Sequence, residues 1–196
     1  MIRLIIMGPP GAGKGTQAGR VAERFGIPAI STGDIFRANI KNGTALGTQV
    51  EAILASGGYV PDEVTNEIVR DRLSWPDAAT GFLLDGYPRT TGQVEFLDQV
   101  LATSGHPLDG VLELTVDEEA VVERLLKRAA IDGRADDTEA VIRERQQIYR
   151  AETAPLTDLY EAHGVLVKVD GMGEVDEVTE RLAAAIDALP GVHSAG

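Results

Sequence analysis

The sequence predicts an α/β fold, a five-stranded parallel sheet with helices on both faces. Three observations carry that expectation. Short apolar runs at 3–7, 27–30, 81–85, 110–114 and 165–169 alternate with helical patterns, the spacing of a parallel sheet whose crossovers are helices. A glycine-rich turn, Gly8-Pro-Pro-Gly-Ala-Gly-Lys-Gly-Thr-Gln17, joins the first apolar run to the first helical pattern. Polar and charged residues gather just past the runs, at 8–16, 31–34, 85–89 and 170–173. In an open parallel sheet those positions share the edge where ligands bind.

The chain has 196 residues with 43% hydrophobic and 25% charged residues, enough for one domain with a proper core. No stretch is long enough to span a membrane, and no basic region followed by an apolar run and a small-residue cleavage site opens the chain, so a cytoplasmic location is expected. Cysteine is absent, which excludes disulfides and Cys-ligated zinc and fits a reducing compartment. A net charge of −13 argues against a nucleic-acid partner. Arginine nonetheless greatly outnumbers lysine, and arginine clamps phosphate bidentately. The balance suits a small phosphorylated ligand held locally. A coding bias toward Arg, Ala and Gly accounts for part of it.

Arg3–Met7 reads as a buried strand. Gly8, Gly11, Gly13 and Gly15 let the backbone curl so that N–H groups point inward. The first helix, 14–25, adds its positive end, and Lys14 adds a full charge aimed at the outer phosphates of a nucleotide. The common form of such a loop has Ser or Thr directly after the Lys. Here Gly15 takes that place and the hydroxyl comes at Thr16. Residues 26–30 read as a turn and a short strand. Ser31-Thr32-Gly33-Asp34 caps a helix with Arg37 one turn inside. Leu46, Val50, Ile53 and Leu54 mark another helix, ended by Gly57-Gly58. Residues 31–60 thus form a flap of two small helices, expected to have few core residues of its own. Tyr59–Asp62 opens a helix with Val64, Ile68, Val69 and Leu73 inward. Trp75, in the loop beyond, is expected to be a packing residue.

Gly81–Asp85 reads as a strand ending in a carboxylate, the position that holds magnesium in phosphate-loop proteins. Arg89 follows at once. Thr90 and Thr91 cap a helix bearing Gln93, Val94, Leu97 and Leu101. After the strand 110–114, Thr115-Val-Asp-Glu118 has capping-box spacing, and the helix it opens is expected to turn Val121, Val122 and Leu125 inward. Arg124 and Arg128 lie four apart on that helix, on one face. Residues 129–135 make a short loop with Gly133 and Arg134. A further helix starts near Asp136–Glu139 and carries Ile142, Arg145, Ile148 and Tyr149, until Pro155 interrupts the pattern. The strand 165–169 leads to Asp170-Gly171, and 175–189 forms the last helix. His106, His163 and His193 show no metal-ligand spacing.

Four of these stretches carry a resemblance. Gly8–Gln17, Ser31–Asp34, Asp85-Gly-Tyr-Pro-Arg-Thr90 and Arg134-Ala-Asp-Asp137 resemble the motifs of adenylate kinases, over nearly the whole chain, and the hydroxyl displaced to Thr16 is that family's form of the loop. The resemblance implies a P-loop NTPase-type fold with a core (1–30, 61–128, 136–196), an NMP-binding flap (31–60) and a short lid (129–135). It implies the reaction ATP + AMP ⇌ 2 ADP with Mg2+, no structural zinc, ATP, AMP and ADP as partners, and a monomer. Gly11, Ala12, Gly13, Lys14, Gly15 and Thr16 would hold the ATP phosphates, Arg124 and Arg128 would lie against ATP, and Gly173 would offer backbone to its adenine. Thr32, Arg37, Gly86, Tyr87, Pro88, Arg89 and backbone at Gly58, Tyr59 and Val60 would hold AMP, with Gln93 reading its base. Arg134 and Arg145 would clamp phosphates from the lid side, and Asp85 would hold the hydrated metal. Closing of flap and lid would exclude water, and their opening would limit turnover.

The nearest rival is a UMP/CMP kinase. Thr32 and Gln93 argue against it, since the resemblance to that group would call for a smaller residue and an Asn. A GTPase-type switch finds only a superficial echo in Val167-Lys-Val-Asp170, where Val replaces the guanine-reading Asn. A purely binding module would leave the arginine set without purpose.

Overall fold

The computed structural model describes residues 1–117, 120–122, 124–126, 138–190 and 192. The chain begins with β1 (Ile2–Met7), the glycine-rich loop and α1 (Lys14–Phe25). Next come β2 (Ala29–Ser31), α2 (Thr32–Lys41), α3 (Ala45–Ala55) and α4 (Asp62–Leu73). A 3-10 turn (Pro76–Thr80) leads into β3 (Gly81–Asp85), α5 (Thr91–Ser104) and β4 (Gly110–Thr115). Residues 120–122 and 124–126 are helical (α6). They are followed by α7 (Glu139–Ile148), a π-helical turn (Tyr149–Thr153), α8 (Pro155–Ala162), β5 (Leu166–Asp170) and α9 (Val175–Asp187).

The five strands pair in the order β2-β3-β1-β4-β5, all parallel. β1 lies between β3 and β4, so the loop after it opens where the strand order reverses, the ligand-binding crevice of such sheets. Side chains alternate across the sheet and build a core on each face. Leu4, Ile6, Leu83, Leu112 and Leu114 pack with α1 and α9 through Ala18, Val21, Leu182 and Ile186. Ile5, Met7, Phe82, Leu84 and Val111 pack on the other face with α4, α5 and α8 through Val69, Leu97, Leu156 and Tyr160. α1 is also tied to α9 by polar contacts: the buried Gln17 donates to Val175 O at 2.9 Å and accepts from Thr179 Oγ1 at 2.8 Å.

The structure corrects three details of the sequence reading. The flap has a cluster of its own, in which Phe36, Val50 and Val60 are buried among Ile40, Leu46, Ile53 and Leu54, with Val64 and Ile68 of α4 joining. Val122 is 41% exposed while its neighbours Val121 and Leu125 are buried, because only one side of α6 faces the core. Trp75 is 51% exposed and carries Arg72 over its ring at 4.7 Å, a surface cation–π pair rather than core packing. Pro155 does interrupt the helix: the π-helical turn ends just before it, and Pro155 becomes the first residue of α8. No described helix is long and apolar enough to cross a membrane.

Candidate functional site

The glycine-rich loop is shaped by its own backbone and by α6 behind it. Ala12 N donates to Pro9 O at 3.0 Å, and Gly13 caps α1 in a left-handed conformation, φ 94°. No side chain among the described residues caps this helix start, which leaves first-turn N–H groups available to a ligand. Gly11, φ 89°, sits so close to α6 that a Cβ there would stand 2.8 Å from Leu125 Cγ and 3.0 Å from Val121 Cγ1. Gly15 plays no part in the turn; it lies inside α1, and a Cβ on it would be 3.7 Å from Asp85 Oδ2. Ala12 turns its methyl group into the core, so only its backbone is available to a ligand. Lys14 Nζ donates to Gly8 O at 2.7 Å and to Pro9 O at 3.1 Å, which holds the ammonium across the loop. Gln146 of α7 braces the loop from outside, donating to Pro10 O at 3.0 Å.

Lys14, Arg37, Arg89 and Arg145 line one cleft above the C-terminal ends of the strands, together with Gly33, Gly58, Tyr59, Tyr87 and Pro88. They come from α1, α2, the β3–α5 loop and α7. Arg37 is held by Asp34 at 2.5 Å, within the turn that Ser31 caps. Arg89 Nε donates to Gly86 O at 2.7 Å, and its guanidinium lies over the Tyr59 ring at 4.9 Å. Thr32 Oγ1 donates to the same Gly86 carbonyl at 2.9 Å. Gly86 has φ 77°, and a Cβ there would meet Arg89 at 2.9 Å and Thr32 Oγ1 at 3.1 Å, so the glycine clears the floor of the site. Arg145 packs against the flap, where a Cβ at Gly57 would stand 2.9 Å from its Cγ. Asp85 ends β3 beside the start of α1, buried, and its carboxylate has no hydrogen-bond or ion-pair partner among the described residues.

A smaller pocket adjoins this cleft, lined by Thr32, Phe36, Leu54, Val60, Thr65, Arg89 and Gln93 among others. Gln93 is 2% exposed, and its amide accepts from Arg89 N at 2.7 Å and donates to Asp62 Oδ1 at 2.7 Å. Val60 and Tyr87 are buried through their side chains, so each has only backbone to offer at the cleft. Burial also pushes the Tyr87 hydroxyl up from its ordinary range, and that hydroxyl donates to Asn66 Oδ1 at 2.6 Å.

Arg124 is not among the described cations that line the cleft. It reaches the loop after β5, donating to Gly171 O at 3.3 Å. Gly173, φ 105°, belongs to that loop, which Arg181 also holds through Met172 O. Arg128, Arg134 and the whole of 129–135 lie outside the described residues. Several residues of the site have no site role in the sequence reading. Thr153 donates to Arg89 O at 2.9 Å and contacts Tyr59 OH at 2.8 Å. Tyr149 lines the cleft. Asp62 and Thr90 were legible only as helix starts, yet Thr90 Oγ1 donates to Asp62 Oδ2 at 2.7 Å beside Gln93.

What the cleft offers is cations and backbone N–H groups, converging from separate elements on a space beside a phosphate-shaped loop. That equipment serves phosphoryl transfer, where positioning and charge stabilisation do the catalytic work. Fold and site together define a phosphate-loop phosphotransferase. A family model described as adenylate kinase matches residues 6–165. An adenylate kinase of Nocardioides sp. is 60% identical over 96% of this chain and 99% of its own length. Those of Clavibacter michiganensis and Kocuria rhizophila are 59% and 58% identical, covering 95% of this chain and 93% and 100% of their own. The chain belongs to the adenylate kinase family.

Proposed function

We propose that the chain catalyses the reversible transfer of the γ-phosphoryl group of ATP to AMP, giving two ADP, with the residues of the cleft in the following roles. The observation that carries this reading is the meeting of Lys14 with Arg37, Arg89 and Arg145 above one phosphate loop. A phosphate oxygen of AMP forms the new bond to the γ-phosphorus, and the bond to the β–γ bridging oxygen breaks. The acceptor is already an anion, so a strong general base is unnecessary. Residues 11–16 hold the ATP phosphates through N–H groups and Lys14. Arg124, Arg128 and the Gly171–Gly173 loop flank the ATP side, and Arg134 and Arg145 clamp phosphates from the lid side. Arg37, Arg89, Thr32 and the backbone of 58–60 and 86–88 bind AMP, and Gln93 reads its base. Each well-placed donor contributes about 3–4 kcal/mol to the transition state.

Asp85 suits a divalent cation: its carboxylate is buried, unpartnered among the described residues and beside the start of α1. Asp85 would hold a hydrated Mg2+, whose charge would offset that of the phosphates. Residues 31–60 act as the NMP-binding flap and 129–135 as the lid; their closure excludes water, and their opening limits turnover. The protein acts as a cytoplasmic monomer.

The test is ADP formation from Mg·ATP with AMP, UMP, CMP and GMP in turn, beside Lys14→Ala. Turnover with AMP alone, lost in the variant, is the expected result. Preference for UMP or CMP overturns the role of Gln93. Absence of transfer to every monophosphate, with ATP still bound, overturns the enzymatic reading.

A further inference from the structure

A glutamine amide reads a base only if its oxygen and nitrogen are kept apart in space. The group is nearly symmetric in shape, and a half-turn about its last bond exchanges acceptor for donor. Adenine presents a donor (the exocyclic amine) beside an acceptor (N1). Guanine presents the reverse pair on the same edge, an acceptor (O6) beside a donor (N1–H). A freely turning glutamine would therefore suit both.

Gln93 is not free to turn. Its Oε1 accepts from the Arg89 backbone N–H and its Nε2 donates to Asp62 Oδ1, each at 2.7 Å. A backbone N–H only donates and an ionised carboxylate only accepts. Turning the amide would set Oε1 against the carboxylate and Nε2 against the N–H, two repulsive contacts in a buried site. Asp62 is itself held: its other oxygen accepts from Thr90 Oγ1 at 2.7 Å, and Thr90 also caps α5 by accepting from Gln93 N. The amide has one further lone pair on Oε1 and one further hydrogen on Nε2. These are what the amide has left for a base in the pocket that Gln93 lines with Thr32, Val60 and Arg89.

We propose that Asp62 is a positioning residue for base selection: by fixing the polarity of the Gln93 amide it admits an adenine edge and rejects a guanine edge. The proposal rests on the reading of Gln93 as the base-contacting residue. The carboxylate touches no substrate. It acts through Gln93, and its effect falls on the acceptor nucleotide rather than on ATP.

The experiment measures kcat and KM for AMP and GMP with Mg·ATP in the full chain, Asp62→Ala, Asp62→Asn, Gln93→Leu and the double variant Asp62→Ala/Gln93→Leu. Loss of one such buried contact corresponds to about tenfold. Asp62→Ala is expected to raise KM for AMP about tenfold and to narrow the AMP-to-GMP ratio of kcat/KM by a similar factor or more. KM for ATP stays within about twofold, which a general loosening of the fold would not allow. Asp62→Asn, whose amide can present either polarity, falls between. The double variant is no less selective than Gln93→Leu alone, since the two side chains act as a unit. If Gln93→Leu leaves the ratio unchanged, the reading of Gln93 fails and the proposal with it. If Gln93→Leu narrows the ratio and Asp62→Ala does not, the proposal is overturned while that reading stands. Should the Asp62 variants not fold, the side-chain amide signals of Gln93 in the unaltered protein decide by NMR. Slowed hydrogen exchange supports a locked amide, and exchange at the rate of a free glutamine overturns it.

Discussion

Gly11 and Gly13 stand two residues apart in the phosphate loop, with φ 89° and φ 94°, yet their surroundings differ. Around Gly13 no described residue lies within 4 Å of a built Cβ, whereas at Gly11 that atom would be 2.8 Å from Leu125 Cγ and 3.0 Å from both Val121 Cγ1 and Val121 O. An alanine at either site must hold a left-handed backbone, which costs about 1–2 kcal/mol. At Gly13 that is the whole cost. At Gly11 the methyl group also drives into the wall of α6, where overpacking adds about 1–3 kcal/mol. The expected loss is therefore about 1–2 kcal/mol for Gly13→Ala and about 2–5 kcal/mol for Gly11→Ala. For a chain of this length each kcal/mol lowers Tm by about 2–4 °C. Urea unfolding of both variants, with the m-value checked for constancy, gives the two numbers directly. Because α6 also carries Arg124, Gly11→Ala is expected to raise KM for ATP more than KM for AMP. Equal losses at the two sites would refute the reasoning, since collision with α6 would then contribute nothing.

Two further outcomes follow from buried polar groups. Burial pushes the Glu113 carboxyl above its ordinary 4.5, only partly offset by Lys168, and its Oε2 is buried without a hydrogen bond among the described residues. The folded chain thus holds this proton to higher pH than the unfolded chain does, so stability falls as pH rises through the window from 4.5 up to the raised value. Glu113→Gln should melt above the unaltered protein at neutral pH and lose that advantage as pH drops toward 4.5; parallel Tm-against-pH curves would contradict it. Gln17→Leu removes the amide that joins α1 to Val175 and Thr179 and leaves the Thr179 hydroxyl with one partner fewer, for an expected cost of about 1–3 kcal/mol in urea unfolding.

The strands and the phosphate loop were legible because their signals are local. Each strand is a short apolar run, and the loop is a contiguous arrangement of glycines and a lysine between strand and helix. Arg37 and Arg89 were legible through motifs that flank them directly. What escaped depends on contacts remote in sequence. Asp62 meets Gln93 across 31 positions and Thr153 meets Arg89 across 64, so neither role leaves a local trace. The flap's core escaped for a similar reason: Phe36, Val50 and Val60 come from three segments, and no single window reveals that they meet. Val121 and Val122 are both apolar and adjacent, and periodicity alone does not say which of the two faces solvent. Trp75 shows a different limit, since a large aromatic ring also finds a place on the surface when an arginine covers it.

The hydroxyl of Thr153 has one hydrogen, and that hydrogen goes to the carbonyl of Arg89. Its contact with Tyr59 must then run the other way, with the phenol as donor. Tyr59 in turn lies under the guanidinium of Arg89, which closes a ring of three residues around a single polarity. The ring joins the end of the flap, the loop after β3 and the π-helical turn that continues the Arg145 helix. A swing of Tyr59 away from the cleft would release the phenol bond and uncover Arg89 in the same stroke, so these two contacts stand or fall together.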